Sequence, residues 1–244
     1  MEILQMQERI IDFIKNNTAN KAVVLGLSGG IDSSVIANLA VKALGSSKVF
    51  GLIMPSSQNQ ENDLTDAIQL SENLKIKYEI IQIDEIIKSF EKVMDLKQDK
   101  KALGNLMARI RMCLLYAKAG QINGLVVGTG NKSEIMAGYF TKYGDGGADI
   151  LPLGGLIKTQ VFEMARFIGM DENIINKKPS AGLWKGQSDE DELGITYCDF
   201  DKIVTAIEKN EKTGDFSATQ VALVQKYIDD SKHKRLPIPV CKFD

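Results

Sequence analysis

Hydrophobic and polar positions change their spacing several times along the chain, and each change predicts a different element. Over residues 2–16 the apolar side chains fall largely on one face of a helix, which predicts an amphipathic opening helix. Short runs of β-branched and other apolar residues then alternate with segments of helical spacing. This alternation predicts strands at 22–27, 48–54, 78–83 and 124–128, and helices at about 33–44, 61–75, 84–94 and 102–119.

The predicted strands are nearly continuous apolar runs, which is typical of a parallel sheet that helices cover on both faces. The fold class is therefore α/β, with a parallel, doubly wound sheet. Ligands of such sheets bind beyond the carboxyl ends of the strands. We therefore expect the loops after residues 27, 54 and 128 to surround one crevice.

The second half of the chain has a less regular pattern. An amphipathic helix follows Lys158, and two more helices are predicted near 199–210 and 217–231. Residues 179–194 carry glycines, four acidic side chains and the only tryptophan. A long polar loop of this kind is either a lid over a substrate site or a mobile surface segment.

Composition limits the class of protein. The 244 residues suffice for one large domain, or for one domain with an appendage. A net charge of -2 gives no general attraction for nucleic acid, and no apolar run approaches the ~20 residues that span a bilayer. The first residues lack the basic segment and apolar core of a signal peptide, so none is expected. Three widely separated cysteines suit reduced thiols, and we expect a cytoplasmic protein with no nucleic-acid or membrane partner.

The string Leu27-Ser-Gly-Gly-Ile-Asp-Ser-Ser34 follows the first predicted strand and opens the next helix. Gly29 and Gly30 let backbone N–H groups approach an anion, and the helix N-terminus adds partial positive charge. The string lacks the Gly-Lys-Ser/Thr of the common nucleotide-binding loop. An acidic side chain among these donors makes sense if a cation accompanies the phosphates, so we predict a magnesium-nucleotide site with Asp32 as metal ligand. The alternative is a glycine-rich turn capped by Asp and Ser.

A second strand–turn–helix string, at residues 128–134, places Glu134 in a first helical turn. There Glu134 either reaches across the crevice toward Asp32, completing a Mg²⁺ site, or only complements its helix dipole. Lys158 is either a cation that neutralises phosphate charge or an ordinary surface lysine.

Other candidate chemistry is weaker. Arg109 and Arg111 lie two residues apart on one predicted helix and point to different faces, so at most one is expected to face a ligand. One histidine and no clustered cysteines give little support for a hydrolase triad or a zinc site.

The Ser28–Ser33 string resembles the signature loop of the ATP-pyrophosphatase group, which includes ammonia-using amide synthetases and several tRNA-modifying enzymes. Three further segments resemble the NAD synthetase family within that group: 128–134, 138–153 with Lys158, and 178–190. The second contains Phe-Thr-Lys-Tyr-Gly-Asp-Gly-Gly, which is far more restrictive than the loop. The Ala-Arg-Ile-Arg-Met string at 108–112 and the basic tail at 233–235 also match, so the resemblance covers most of the chain from residue 22 onward.

This resemblance implies an adenine nucleotide alpha hydrolase-like fold in a single domain over residues 1–244. That domain would comprise the opening helix at 2–16, a nucleotide-binding core over about 20–170, a lid loop at about 179–194, and C-terminal helices with a basic tail.

The resemblance also implies roles at the matching positions. Asp32 and Glu134 would bind Mg²⁺, while Asp32, Lys158 and Asp145 would act in catalysis, with Asp145 near the entering ammonia. The implied ATP contacts are Leu27, Ser28, Gly29, Gly30, Ile31, Asp32, Ser33, Ser34, Thr129, Lys158 and Ser180. The implied deamido-NAD contacts are Arg109, Lys142, Asp149, His233 and Lys234. Many relatives carry an arginine shortly before the proline that follows the second strand, but Met54 precedes Pro55 here, so that nucleotide contact is not carried over.

The implied reaction is the ATP-dependent amidation of deamido-NAD to NAD with ammonia, releasing AMP and pyrophosphate. Attack of the nicotinate carboxylate on the α-phosphate of ATP would form an acyl-adenylate, whose AMP leaving group ammonia displaces. Because water would destroy the adenylate, residues 179–194 are expected to close as a lid. No Cys–His amidase pair is visible, so free ammonia is expected unless a separate glutaminase supplies it. The resemblance also implies a homodimer, and the apolar faces of the predicted helices at 2–16 and 102–119 are the surfaces that would allow one.

Two alternatives remain open. The first is a tRNA-modifying enzyme of the same group, but thiolation usually needs a reactive cysteine pair and tRNA binding needs a basic surface, and neither is visible. The second is a non-catalytic adenine-nucleotide sensor, which would not need both carboxylates and Lys158.

Overall fold

A computed structural model describes residues 1–58, 61–94 and 99–243. In these residues four strands form a parallel sheet in the order β3-β2-β1-β4. The strands are β1 (Val23–Gly26), β2 (Val49–Ile53), β3 (Lys77–Ile80) and β4 (Leu125–Val126). A parallel bridge between Val127 and Ile150 continues the pairing beyond β4. The predicted α/β class with a doubly wound parallel sheet is confirmed.

Helices connect the strands and make up most of the C-terminal half. Their bounds are α1 (Ile3–Thr18), α2 (Ile31–Leu44), α3 (Glu61–Asn73), α4 (Asp84–Glu91), α5 (Lys100–Gln121), α6 (Lys132–Ala137), α7 (Lys158–Phe167), α8 (Glu172–Ile175), α9 (Asp189–Leu193), α10 (Tyr197–Lys209), α11 (Ala218–Asp230) and α12 (Lys232–Arg235).

Several boundaries differ from the sequence prediction. Helix α2 begins two residues early because Gly30 already acts as its N-cap and its carbonyl accepts a bond from the Ser34 N–H. Asp32 therefore lies in the first turn of the helix rather than in the loop. Residues 179–194 are not wholly a loop, because Ser188 caps the short helix α9 with its side chain.

Alternate side chains of the strands face opposite layers of helices. Val23 and Leu25 of β1 pack into a core with α1, α2, α3, α7 and α8. Val24 packs into a second core, which contains apolar residues of α4 and α5. This arrangement explains why the strand sequences are apolar on both sides.

A third apolar cluster lies among α6, α9, α10 and α11, with Phe200, Ile203 and Val224 fully buried. Tyr197, at the start of α10, is buried in the same cluster. Over the described ranges, no helix combines the length and hydropathy that a membrane crossing requires.

Candidate active site

A cavity of about 900 Å³ opens at the carboxyl ends of the strands. Residues that follow three different strands line it: Leu27 and Ser28 after β1, Met54 and Pro55 after β2, and Gly128 and Thr129 after β4. The expected crevice between these loops is therefore confirmed. Helix α5 and the 179–194 segment form other parts of the wall.

The turn after β1 is held by its own hydroxyls and by a close backbone contact. The Ser33 and Ser34 hydroxyls both donate to the Gly30 carbonyl, at 3.0 and 2.8 Å. Gly29 has a φ of 75°, and a Cβ at this position would lie 2.3 Å from the Asp63 carbonyl oxygen. Only glycine fits there, because both the left-handed backbone and the contact with α3 exclude a side chain.

The predicted ATP contacts in this string divide into two groups. Ser34 is fully buried and Gly29 contacts α3, and neither lines the cavity. The remaining members face the cavity: Leu27, Ser28, Gly30, Ile31, Asp32 and Ser33.

A buried ion cluster joins the loops after β1 and β4. The Lys158 side chain is 2% exposed, and its Nζ lies 2.5 Å from Asp32 Oδ2 and 3.2 Å from Glu134 Oε1. The same Nζ lies 5.2 Å from the centre of the Tyr197 ring. A buried ammonium needs such partners because it has lost its water, so Lys158 is not an ordinary surface lysine.

Asn131 connects the two predicted metal ligands. Its side chain accepts from the Glu134 N–H at 3.0 Å, while Glu134 Oε2 accepts from the Asn131 N–H at 3.1 Å, forming a capping box at the start of α6. The Asn131 Nδ2 also donates to Asp32 Oδ1 at 2.8 Å. Glu134 therefore caps the N-terminus of its own helix. It also reaches toward Asp32, because both carboxylates bond to the Lys158 ammonium.

Asp201 of α10 bonds to backbone and side-chain groups next to this cluster. Its carboxylate is 1% exposed and accepts from the Thr159 N–H at 2.8 Å and from the Ser133 hydroxyl. The Ser133 Oγ in turn accepts from the Lys158 N–H at 2.8 Å. Asp201 thus fixes the first turn of α7, from which Lys158 extends. Sequence reasoning missed Asp201, because the acidic residue lies inside an ordinary amphipathic helix with no nearby motif.

Burial and neighbouring charges shift the pKa values of this cluster. Burial raises the pKa of Glu134 to about 8, although Lys158 acts in the opposite direction. Burial alone would lower the pKa of Lys158, but Asp32 and Glu134 raise it above its ordinary value. Burial also raises the pKa of Asp189, which accepts a hydrogen bond from the Tyr197 hydroxyl at 3.0 Å. Lys158 therefore remains an ammonium ion at neutral pH.

Of the five predicted deamido-NAD contacts, Lys234 alone lines the cavity. Lys234 donates to the carbonyls of Gly138 and Phe140, both at 2.6 Å. Arg109, Lys142 and His233 lie outside the lining and are linked to one another: Arg109 donates to the Lys142 carbonyl at 3.3 Å and Lys142 to the His233 carbonyl at 2.7 Å.

Asp149 also lies outside the cavity lining. Its carboxylate accepts from the Val126 N–H at 2.8 Å and from the Tyr116 hydroxyl at 3.2 Å, so it bonds to β4 and α5.

Of the two arginines on α5, Arg111 faces the cavity and Arg109 does not. The Arg111 Nε donates to the Met54 carbonyl at 3.1 Å, and burial lowers its pKa to about 10. The prediction that these side chains point to different faces is confirmed. The family resemblance assigned Arg109 to deamido-NAD, whereas Arg111 is the one that lines the cavity.

Three other predicted residues line the cavity: Thr129, Asp145 and Ser180. Asp145 accepts from the Thr141 N–H at 2.8 Å, and surrounding protein raises its pKa by desolvation. Leu183 and Trp184 of the 179–194 segment pack closely against Gly104 of α5. Within the part of the chain that the structure describes, no group of three or more His, Cys, Asp or Glu side chains is arranged to hold a metal.

Comparison with known proteins identifies the family. The NAD synthase family model matches residues 3–238. The NH₃-dependent NAD⁺ synthetase of Archaeoglobus fulgidus is 47% identical over 246 residues, covering 99% of this chain and 98% of that protein. The NMN synthetase structure from Francisella tularensis is 39% identical with a TM-score of 0.90, covering 100% of both chains. The NH₃-dependent NAD synthetase structure from Campylobacter jejuni is 33% identical with a TM-score of 0.87, covering 99% of this chain and 100% of that one. This chain belongs to the NAD synthase family.

Proposed function

We propose that this protein catalyses the ATP-dependent amidation of deamido-NAD to NAD, with ammonia as nitrogen donor and AMP and pyrophosphate as products. Family membership supports the reaction class. The observation that carries the assignment of the site is the Lys158 ammonium, buried between Asp32 and Glu134 at the ends of β1 and β4.

The side chains of this site suit a reaction that brings charged substrates together. The backbone N–H groups after β1 and the N-terminus of α2 would hold the phosphates that leave as pyrophosphate. Lys158 would offset the negative charge on the α-phosphate while the nicotinate carboxylate attacks it. The acyl-adenylate formed in this way has AMP as its leaving group, which ammonia displaces. The protein would act by positioning and charge neutralisation, without a nucleophile of its own.

A magnesium ion fits the donor set of this site. Asp32 and Glu134 have side chains 18% and 17% exposed, both line the cavity, and carboxylate oxygens are ligands that Mg²⁺ prefers. Two protein carboxylates suit this ion, which takes its remaining ligands from water and substrate phosphates. When bound, Mg²⁺ would supply neutralisation of the phosphate charge.

Residues at the cavity edge would bind the second substrate. Lys234 faces the cavity, and Arg109, Lys142 and His233 lie together beside it, so we propose that this basic edge contacts the dinucleotide phosphates. The 179–194 segment, which forms one wall, would exclude water from the adenylate.

We also propose a homodimer. The apolar face of α1 is buried in the core of the same chain, so that face does not support the proposal. Leu4 and Phe13 of α1 and Tyr116 of α5 remain exposed and offer apolar contact area. Light scattering after size exclusion should give twice the mass of the chain, and a monomer at micromolar concentration would contradict the proposal.

One incubation tests the reaction. The protein is mixed with ATP, Mg²⁺, ammonium and deamido-NAD, and the AMP and NAD formed are measured by chromatography. We expect equal amounts of AMP and NAD, and no AMP when deamido-NAD is omitted. ATP binding without AMP would instead indicate a nucleotide sensor, and AMP formed only with tRNA would indicate a tRNA-modifying enzyme.

A second acyl substrate belongs in the same assay. The Francisella tularensis NMN synthetase matches this chain over its whole length. The carboxylate analogue of NMN, nicotinate mononucleotide, is therefore the second candidate substrate. The enzyme's substrate is whichever of deamido-NAD and nicotinate mononucleotide gives the larger kcat/KM.

A further inference from the structure

Lys177 ties three separate segments together at the wall of the cavity. Its Nζ lies 2.9 Å from Asp63 Oδ1 and 2.6 Å from Asp66 Oδ2, both on α3. The same Nζ donates to the Gly29 carbonyl at 3.1 Å. The side chain is 21% exposed, so these contacts replace most of its water. Lys177 itself stands two residues before the 179–194 segment.

The contact with Gly29 determines which way a peptide group of the turn points. In a trans peptide the C=O and the following N–H point in opposite directions. Because Lys177 binds the Gly29 carbonyl, the Gly30 N–H is directed away from α3. The Gly30 N–H donates to Ser28 Oγ, at an N···Oγ distance of 3.2 Å, and both Ser28 and Gly30 line the cavity. The N–H is therefore on the side where a phosphate would bind.

The two carboxylates hold the ammonium in this place. Burial would lower the pKa of Lys177, but the bonds to Asp66 and Asp63 raise it, so the side chain stays charged. Asp63 also contacts Gly29 through its backbone, where a Cβ on Gly29 would meet the Asp63 carbonyl at 2.3 Å. Helix α3 thus holds the turn both directly and through Lys177.

We propose that Lys177 is a positioning residue, which fixes the Gly29–Gly30 peptide so that the Gly30 N–H faces the phosphates of ATP. The inference rests on the proposed function, which places those phosphates at this turn. Lys177 acts through the peptide: its ammonium bonds to Asp63, to Asp66 and to the Gly29 carbonyl, and we assign it no direct contact with ATP.

Binding and kinetics with four variants test this role. Lys177→Met should weaken Mg-ATP binding about tenfold, the loss expected for one hydrogen bond to a charged group, and should raise the KM for ATP equally. The KM for deamido-NAD should change less than about twofold. Lys177→Arg should restore part of the ATP affinity. The matched control is Lys118→Met, which removes a cation of similar exposure (14%) that pairs with Glu79 and does not line the cavity.

Asp66→Asn separates positioning from direct binding. If Lys177 positions the turn, loosening its anchor weakens ATP binding. If Lys177 were a phosphate ligand, removing a competing carboxylate would strengthen ATP binding, and that result would overturn the proposal. Unchanged ATP affinity in Lys177→Met, or equal losses for both substrates, would overturn it too. Should Lys177→Met not fold, Lys177→Arg and Asp66→Asn decide the question.

Calorimetric titration with the non-hydrolysable ATP analogue AMPPNP and Mg²⁺ needs no turnover. A wild-type protein that binds the analogue but makes no NAD would contradict the proposed function. The affinity of Lys177→Met relative to wild type would still decide the role of Lys177.

Discussion

Replacing Lys158 with methionine should destabilise the protein, because Asp32 and Glu134 would then face each other without their shared cation. The wild-type ammonium is 2% exposed and bonds to both carboxylates. Removing one partner of a buried ion pair costs about 3–5 kcal/mol. The two carboxylates retain some contact with cavity water, at 18% and 17% exposure, so we expect the lower value, about 3 kcal/mol.

The loss should depend on pH in a defined direction. The pKa of Glu134 is already raised to about 8, and it should rise further once Lys158 is gone. At pH 6 Glu134 would therefore be protonated in the variant, and the repulsion from Asp32 would disappear. We expect the free energy of unfolding of Lys158→Met to fall further below wild type at pH 9 than at pH 6.

Urea unfolding at the two pH values measures this difference. The double variant Lys158→Met/Glu134→Gln should recover part of the loss at pH 9, because it removes one of the two like charges. Lys118→Met serves as control, since its partner Glu79 is 47% exposed, and it should cost less than about 1 kcal/mol. Equal midpoints for Lys158→Met and Lys118→Met at pH 9 would refute the reasoning.

Three further predictions concern the same loops. Asp32→Asn should lower kcat at least about 100-fold while the far-ultraviolet circular dichroism stays unchanged, and normal turnover would show that Asp32 is not a metal ligand. Gly29→Ala should cost about 1–3 kcal/mol in urea unfolding and weaken ATP binding, because its Cβ would lie 2.3 Å from the Asp63 carbonyl. Glu134 has a folded pKa of about 8 against an ordinary 4.5, so the folded state holds its proton more tightly than the unfolded state. Its contribution to stability is therefore present at acid pH, where both states hold the proton, and is lost as the pH rises above the ordinary glutamate range. Glu134→Gln should abolish that slope in urea curves, and an unchanged slope would contradict the raised pKa.

Much of the fold could be predicted because its signals are local. The change in the spacing of apolar residues, from helical to strand-like, predicted the bounds of β1, β2 and the neighbouring helices to within a few residues. The strand ends then predicted one crevice, since parallel strands bring their carboxyl ends to the same edge. β4 is shorter than predicted because regular pairing stops at Val126, and only a single bridge follows at Val127.

The partners inside the site were less predictable, because they are far apart in the chain. The bond from Lys158 to Asp32 spans 126 residues, and the one from Asn131 to Asp32 spans 99. Spacing within a motif says nothing about such pairs. Asn131 was visible only as part of a turn, although, like Lys158, it bonds to both predicted metal ligands.

The position of Lys158 depends on more than the sheet. The carboxylates come from the first turns of α2 and α6, which follow β1 and β4, and these two strands are neighbours in the sheet. The cation comes from α7, whose first turn is bonded to Asp201 of α10 both directly and through Ser133. α10 belongs to the third apolar cluster, outside the two cores that flank the sheet. α7 itself packs into the core that contains Val23 and Leu25 of β1, and α6 packs into the third cluster, so both the acidic and the basic side chains depend on the sheet and on the C-terminal helices. Because Asp201 holds the first turn of α7 directly and through Ser133, loosened packing of α10 would release the Lys158 backbone and weaken its contacts with Asp32 and Glu134.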